Sequence, residues 1–464
     1  MVGLSDERTS RATELASTVA DIALARPLAH PYDRQILGLA VPALGALAAE
    51  PLYVLADTAV VGHLGTPQLG GLAVASTLLL TGYAVFNFLA YGTTASVARR
   101  IGAGDDAGAA HEGVQGLWLA LAIGVVLALV GAALAPQLVG LMGARGAVAA
   151  NALVYLRISL VGVPALLVGL AGTGYLRGRQ NTITPLVVTG VAVAANLAIE
   201  LVLIYGVGLG IGASALATVV AQVGSAIAYV RWVARDVAAL GVAVGPELAA
   251  IRRLAAVGRD LFVRTAALRL ALTLATAVAA RLGTVDLGAH QIAFEVWSFL
   301  ALALDSLAIA GQAMVGRLLG ADDATAARDA ARRMLTWGVG AGVVFAVTVG
   351  LARPVLPGLF SDDPAVIALC AFVLIFVAVL QPLNAVVFVL DGVLIGAGDM
   401  RFLAWAMAGA AVVFVPAAAA VLALGAGIGW LWASLALLMA ARAAALLWRF
   451  RGDAWVVEGI PASQ

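Results

Sequence analysis

The residues best suited to chemistry lie in two apolar stretches. In EPLYVLADTAVVGHLG, Glu50, Tyr53 and Asp57 are spaced i, i+3, i+7, which places all three on one face of a helix. In NLAIE, Asn196 and Glu200 stand one turn apart and share a face. An amide beside a buried carboxylic acid can hydrogen-bond either protonation state, as a reversible proton site requires. A charge at the centre of a membrane helix costs roughly 2.5–3.5 kcal/mol on insertion scales, so such acids are functional candidates by default. The alternative is that they pair with a buried arginine as structural glue, and Arg157 is the nearest in this part of the sequence. Pro42, upstream in the first stretch, removes a backbone hydrogen bond and allows a kink.

The later part of the chain has further charges in apolar runs: Arg264, Arg269, Glu295, Asp305 and Asp391. Two arginines facing three acids make ion-pair neutralisation a serious alternative to a direct role for Glu295 and Asp305. Asp391, beside a glycine-rich turn, reads as a structural cap.

The elements that must position these groups follow from composition. Of 464 residues, 63% are hydrophobic and 11% charged, against about 45–50% and about 25% in soluble domains. Lipid must therefore be the solvent for most of the chain. Twelve apolar segments are long enough to span a bilayer, at about 35–61, 70–98, 113–135, 148–170, 185–206, 209–231, 254–280, 288–315, 332–352, 365–392, 402–424 and 427–449. All 27 basic residues are arginine, which we read as codon bias. The tail and the loops after even-numbered spans hold 19 of them, against 3 in the alternating loops. The positive-inside rule then places both termini in the cytoplasm. The polar first 34 residues read as a cytoplasmic tail leading to an uncleaved helix.

The chain also repeats itself at an offset of 218. LGTPQLGGLAVA (64–75) falls on LGTVDLGAHQIA (282–293), ARRIGAGDDA (98–107) on GRLLGADDAT (316–325), and GYLRGRQN (174–181) on GVLIGAGD (392–399). Six spans separate the copies, so the halves share one orientation, as in transporters built from parallel repeats. The expected organisation is an all-α membrane protein: a tail at 1–34, a first lobe at 35–231, a linker at 232–253, a second lobe at 254–450 and a tail at 451–464. The repeat also supplies a control. The counterparts of Glu50, Asp57, Asn196 and Glu200 are Leu268, Ala275, Phe414 and Ala418, all apolar, so the scaffold itself does not require polar groups there.

Soluble-enzyme signals are absent. HEGVQ (111–115) lacks the second histidine of a zinc motif, and GVGLGIGAS (206–214) joins two spans rather than a strand and a helix. One cysteine, Cys370, gives neither a disulfide framework nor a cysteine-based metal site. A net charge of +1 argues against nucleic-acid partners. GRQNTITP (178–185) and GAGDM (396–400) read as tight turns between spans.

EPLYVLADTAVVGHLGTPQLGGLAVA resembles the first two spans of multidrug and toxic compound extrusion (MATE) transporters, in particular their DinF-type branch. HQIAFEVWSFLALALDSLAIAGQAMVG and DGVLIGAGD resemble that branch's second lobe. The resemblance covers about residues 35–450. It implies twelve helices in two lobes and export of organic, often cationic, compounds against inward H+ or Na+ flow. An acid in span 1 and an Asn/Asp pair in span 5 line the first-lobe cavity of related members, matching Asp57 and Asn196 with Glu200. The family pattern also makes Glu50, Tyr53 and the span-6 Thr218 of SALAT substrate-binding candidates. Two positions depart from it: Glu200 stands where aspartate is usual, and Glu50 where an uncharged polar residue is common. Other branches use acids in spans 7 and 10, but span 7 here carries arginines instead.

The function expected is an ion-coupled efflux antiporter working by alternating access, not an enzyme. Its partners would be a small organic substrate, H+ or Na+ and membrane lipid, with no cofactor. A monomer in the plasma membrane is expected. Rival readings are a lipid-linked glycan flippase, which would call for a cationic cavity and extra spans, and a non-transporting scaffold or receptor.

Overall fold

In a computed structural model, residues 30–460 are described. Twelve helices are long and apolar enough to cross a bilayer: α1 (Asp33–Gly62), α2 (Thr66–Gly102), α3 (Asp106–Leu141), α4 (Gly146–Gly178), α5 (Ile183–Gly206), α6 (Ile211–Leu240), α7 (Leu248–Leu282), α8 (Thr284–Gly320), α9 (Ala324–Ala352), α10 (Pro364–Gly396), α11 (Met400–Ala423) and α12 (Ile428–Arg451). Hydrocarbon leaves a backbone little choice but helix, because every N–H and C=O must be satisfied internally. Two helices depart locally from α geometry: α2 passes through a 3-10 turn at Val85–Asn87, and α5 ends in a π turn at Val202–Gly206. Most of the N-terminal tail read from the sequence lies outside the described residues.

The two lobes of six helices repeat one packing scheme. In the first, α4 packs on α2, α3 and α6, while α1 and α5 pair and α5 meets α6; in the second, α10 packs on α8, α9 and α12, while α7 pairs with α11 and α11 meets α12. Even the connections repeat. Asp105 accepts from the Gly108 N–H at the start of α3, and Asp323 accepts from the Ala326 N–H at the start of α9, both at 2.8 Å. Such side-chain caps satisfy amides that the first turn leaves without helical partners.

The lobes meet along α1, α2 and α8, with α7 against α2 and α3. One large apolar core runs through both lobes, from Ile36 and Val61 through Leu319 to Val393 and Trp455. A second apolar core, containing Ala271, Phe414 and Trp432, belongs to the second lobe alone. The tightest inter-lobe approach is between α2 and α8 at their arginine-rich ends. A Cβ on Gly102 would collide with the Arg317 carbonyl, and one on Gly320 with the Arg99 carbonyl. Gly102 and Gly320 are repeat mates, so the crossing is reciprocal. Small residues are what allow two membrane helices so close a backbone contact.

Asp391 is not the structural cap that its glycine-rich neighbourhood implied. It lies within α10, buried, and binds Arg264 of α7 at 2.5 Å and Arg442 of α12 at 2.6 Å. Arg442, one of the arginines set within a span, thus completes a buried ion-pair cluster in the second lobe.

Candidate functional site

The first-lobe acids are placed by α1, α5 and α6. Helix α1 carries two internal prolines, Pro42 and Pro51. Pro51, which the sequence reading passed over, stands between Glu50 and Tyr53 and removes a second helical hydrogen bond. Downstream of it, Tyr53 and Asp57 project one turn apart toward α6, as their spacing requires.

Asp57, Asn196, Glu200 and Ser214 are each at most 5% exposed and form one polar cluster in an apolar bundle. The Ser214 hydroxyl donates to Oδ1 of Asp57. Thr218, one turn further along α6, is fully used: its hydroxyl donates to the Ser214 carbonyl at 3.0 Å. Its oxygen accepts from Nδ2 of Asn196 at 3.1 Å and lies 2.6 Å from the Tyr53 hydroxyl. Because the single Thr218 proton is committed, Tyr53 is the donor in that pair. Tyr155 of α4, also buried, borders the same group.

Glu200 is different. Its carboxyl lies against that of Asp57 and beside Ser214, yet neither oxygen receives a hydrogen bond from a protein donor. Oδ1 of Asn196 is likewise unpartnered. None of the ion pairs formed among the described residues involves Asp57 or Glu200. Arg157, the arginine that might have neutralised them, is exposed on α4. Two carboxylates in contact away from water cannot both stay ionised cheaply without a positive charge beside them.

The remaining candidates are arranged separately. Glu50 is exposed and stands within electrostatic reach of Arg269, an exposed residue of α7 in the other lobe. It does not join the Asp57 cluster. Asp305 accepts from the Tyr91 hydroxyl of α2 at 3.3 Å and lies near Arg177 and Arg264, so it belongs to the inter-lobe seam. Glu295 is exposed and accepts from Gln291 on its own helix at 2.9 Å. Pro42 is half-buried in the first turns of α1.

Sequence reasoning missed Ser214 and Tyr155. A signal for Ser214 was present, since it precedes Thr218 by four residues in SALAT and so shares its helix face. Tyr155 stands one turn from the buried Ser159 on α4, but only packing shows that it borders the Asp57 cluster.

Comparison with known proteins places this geometry in a family. A family model described as MatE matches residues 42–202 and 262–420, one block in each lobe. Protein DETOXIFICATION 43 of Arabidopsis thaliana is 32% identical over 88% of this chain and 89% of its own length. DNA damage-inducible protein F of Escherichia coli strain K12 is 29% identical, covering 91% of this chain and 94% of its own. Among solved structures, a MATE protein in the bent conformation superposes with a TM-score of 0.84, at 21% identity, over 94% of this chain and 98% of that one. A MATE protein in the straight conformation gives 0.81, also at 21% identity, over 91% and 96%. With the family model spanning more than half of the sequence, this chain belongs to the MATE family of membrane transporters.

Proposed function

We propose that the protein is an ion-coupled efflux antiporter that exports organic, often cationic, compounds, with the Asp57–Glu200 pair as its coupling site. The observation that carries this reading is the buried carboxyl pair with no cationic partner. In hydrocarbon surroundings such a pair takes up one positive charge when it is reachable from one side and releases it on the other. A single shared proton satisfies the chemistry: it sits on one carboxyl and is donated to the other, while Ser214 holds Asp57 in place. Na+ is the competing ion, since the unpartnered oxygens of Glu200 and Asn196 are hard-cation ligands by type.

Substrate selection falls to groups lining the gap between the lobes. Glu50, an exposed carboxyl, would attract a cationic cargo, and Tyr53 offers an aromatic face beside it. The proposed setting is the plasma membrane with both termini cytoplasmic, in keeping with the arginine distribution. Because the lobes meet at their arginine-rich ends, this arrangement corresponds to the outward-facing half of the cycle. The carboxyl pair loads there, and rocking of the lobes delivers the ion inward.

The test is transport by purified protein in proteoliposomes with a pH gradient and a Na+ gradient imposed separately. Efflux driven by the pH gradient alone is the expected result. Efflux driven only by Na+ reassigns the ion, and movement of an organic cation with neither gradient overturns the antiport reading.

A further inference from the structure

The repeat mates Arg99 and Arg317 each reach into the opposite lobe, beside the buried pair that Arg333 of α9 makes with Asp33 of α1 at 2.6 Å. Arg99 of the first lobe is completely buried. Its guanidinium donates to the Ala397 carbonyl in the α10–α11 turn of the second lobe at 2.5 Å. Arg317 of the second lobe donates to Oε1 of Gln180 in the α4–α5 turn of the first, at 2.9 Å. Those two turns are themselves repeat mates, so each lobe extends one arginine into the same turn of the other. The Gly102–Gly320 crossing of α2 and α8 lies between them.

Backbone conformation marks the same seam. Among the described residues the non-glycine residues with positive φ are Gln180 (φ 60) and Asp322 (φ 57). Their repeat mates are Gly398 (φ 81) and Gly104 (φ 73), where the conformation is free of strain. A side chain is kept at position 180 despite that cost, and it is the side chain that bridges the lobes. Besides Arg317, it accepts from Gln35 of α1 at 3.0 Å.

The symmetry breaks in one respect, and this defines the device. After α12 the chain folds back across the seam. Trp455 anchors it to the second lobe: it is 1% exposed, stacks on Phe450 and donates from Nε1 to the Phe450 carbonyl at 3.0 Å. Arg328 of α9 reinforces the anchor through Asp453 at 2.6 Å and by lying over the Trp455 ring. Beyond the anchor, the carbonyls of Val457 and Gly459 accept from Arg99 at 2.5 and 2.8 Å. The Gly459 N–H donates to the Leu319 carbonyl of α8 at 2.9 Å. A segment fixed to the second lobe therefore closes around an arginine of the first.

We propose that Arg99, Arg317 and this C-terminal strap form the clasp that holds the arginine-rich face closed, the strap setting how readily that face opens. Separation of the lobes there must pull Arg99 out of three carbonyls while the strap stays with the second lobe. Hydrogen bonds from a charged donor are the strong class, and burial raises the loss on breaking them. The clasp involves neither the coupling ion nor the cargo, so it stands or falls apart from the antiport reading.

The test is a spin-label distance measurement on the full chain in lipid nanodiscs, without any gradient. Labels go on Ala107→Cys and Thr325→Cys, which are exposed repeat mates on the two lobes, in a Cys370→Ser background. The expected wild-type result is one dominant short distance. Arg99→Ala should raise the ratio of the longer-distance population to the shorter one roughly tenfold or more. Arg328→Ala, which loosens the anchor and leaves the clasp donors intact, should move it the same way by a smaller factor. So should removal of residues 453–464. Elution volume and melting temperature establish that each variant is folded, and Arg328→Ala serves if the truncated chain is not. An unchanged distribution in folded Arg99→Ala overturns the clasp. A shift in Arg99→Ala with none in Arg328→Ala or the truncation overturns the role of the strap.

Discussion

The same place in the two lobes is solved in opposite ways. In the first lobe, Tyr53, Asp57, Asn196 and Glu200 build a polar cluster with Ser214 and Thr218. Their second-lobe counterparts, 218 residues on, are Ala271, Ala275, Phe414 and Ala418, all within one buried apolar core. For Ser214 and Thr218 the counterparts are Leu431 or Trp432 and Leu435 or Ala436, whether α12 is shifted by 217 or 218. A backbone that folds with a packed hydrocarbon filling does not need carboxyls there for stability. The second lobe has buried charge as well, but it is handled differently. Asp391 sits between Arg264 and Arg442, each within 2.6 Å, whereas Asp57 and Glu200 face each other with no arginine. Charge in the second lobe is paired, and charge at the proposed coupling site is not.

The largest effect expected from this contrast is loss of transport in Asp57→Asn. The amide oxygen still accepts from Ser214, so the fold is kept, but the exchangeable proton is gone. Gradient-driven efflux should fall at least a hundredfold with melting unchanged, and Glu200→Gln should match it. Normal efflux in either variant would remove the functional half of the comparison.

Next comes Arg442→Met, which should act on stability rather than on coupling. It leaves Asp391 buried with one partner in place of two. Asp391 keeps Arg264, so the loss is that of one charged hydrogen bond, about 1.5–3 kcal/mol, and the melting temperature should drop accordingly. Efflux per folded molecule should stay near wild type. A folded, stable variant with altered ion dependence would instead place coupling in the second lobe too.

How much of this was legible in the sequence follows from distance along the chain. The spans, the lobes and the Asp57 face could be read because lipid imposes length and helices impose spacing, both local rules. Asn196 and Glu200 could be paired for the same reason. Asp391 was misread because a glycine turn lies nearby in sequence, while its partners lie 127 and 51 residues away. Arg99 looked like one more positive-inside arginine. Its acceptors are backbone carbonyls 298 to 360 residues distant, and a carbonyl leaves no trace in residue type. Glu50 matched the face by periodicity but not the cluster by contact, since the part of α1 that carries it is exposed while Asp57 is packed against α6.

A third expectation inverts the comparison. Ala418→Glu puts the second-lobe mate of Glu200 into an apolar core with Phe414 and Trp432. It should destabilise by about 2–3 kcal/mol without creating a second ion site. Melting measured across a pH range checks this, since a buried carboxyl with no partner survives best when protonated. Stability should therefore be lost as pH rises. A variant as stable as wild type at neutral pH would mean that the second-lobe core tolerates charge, and the apolar filling would then carry no information.

The smallest effect, and the sharpest probe, is at the rim of the cluster. Tyr53 donates to Thr218, which in turn accepts from Asn196, so the hydroxyl acts on the carboxyl pair only through two neighbours. Tyr53→Phe removes one donor and leaves the ring, and a net hydrogen bond of about 0.5–1.5 kcal/mol predicts a loss of efflux of roughly two- to tenfold. Thr218→Val removes the shared acceptor and should lose somewhat more, because it also frees the Asn196 amide. The double variant separates a network from a packing effect. If the three side chains act together, the two losses will fall short of adding, with a coupling of about 0.5–1 kcal/mol. The parallel pair in the second lobe, Ala271→Ser with Leu435→Ala, should show no coupling in efflux, since neither residue there faces an ion. Additive losses at Tyr53 and Thr218 would reduce the cluster to the bare Asp57–Glu200 pair, with its rim serving only to pack α1 against α6.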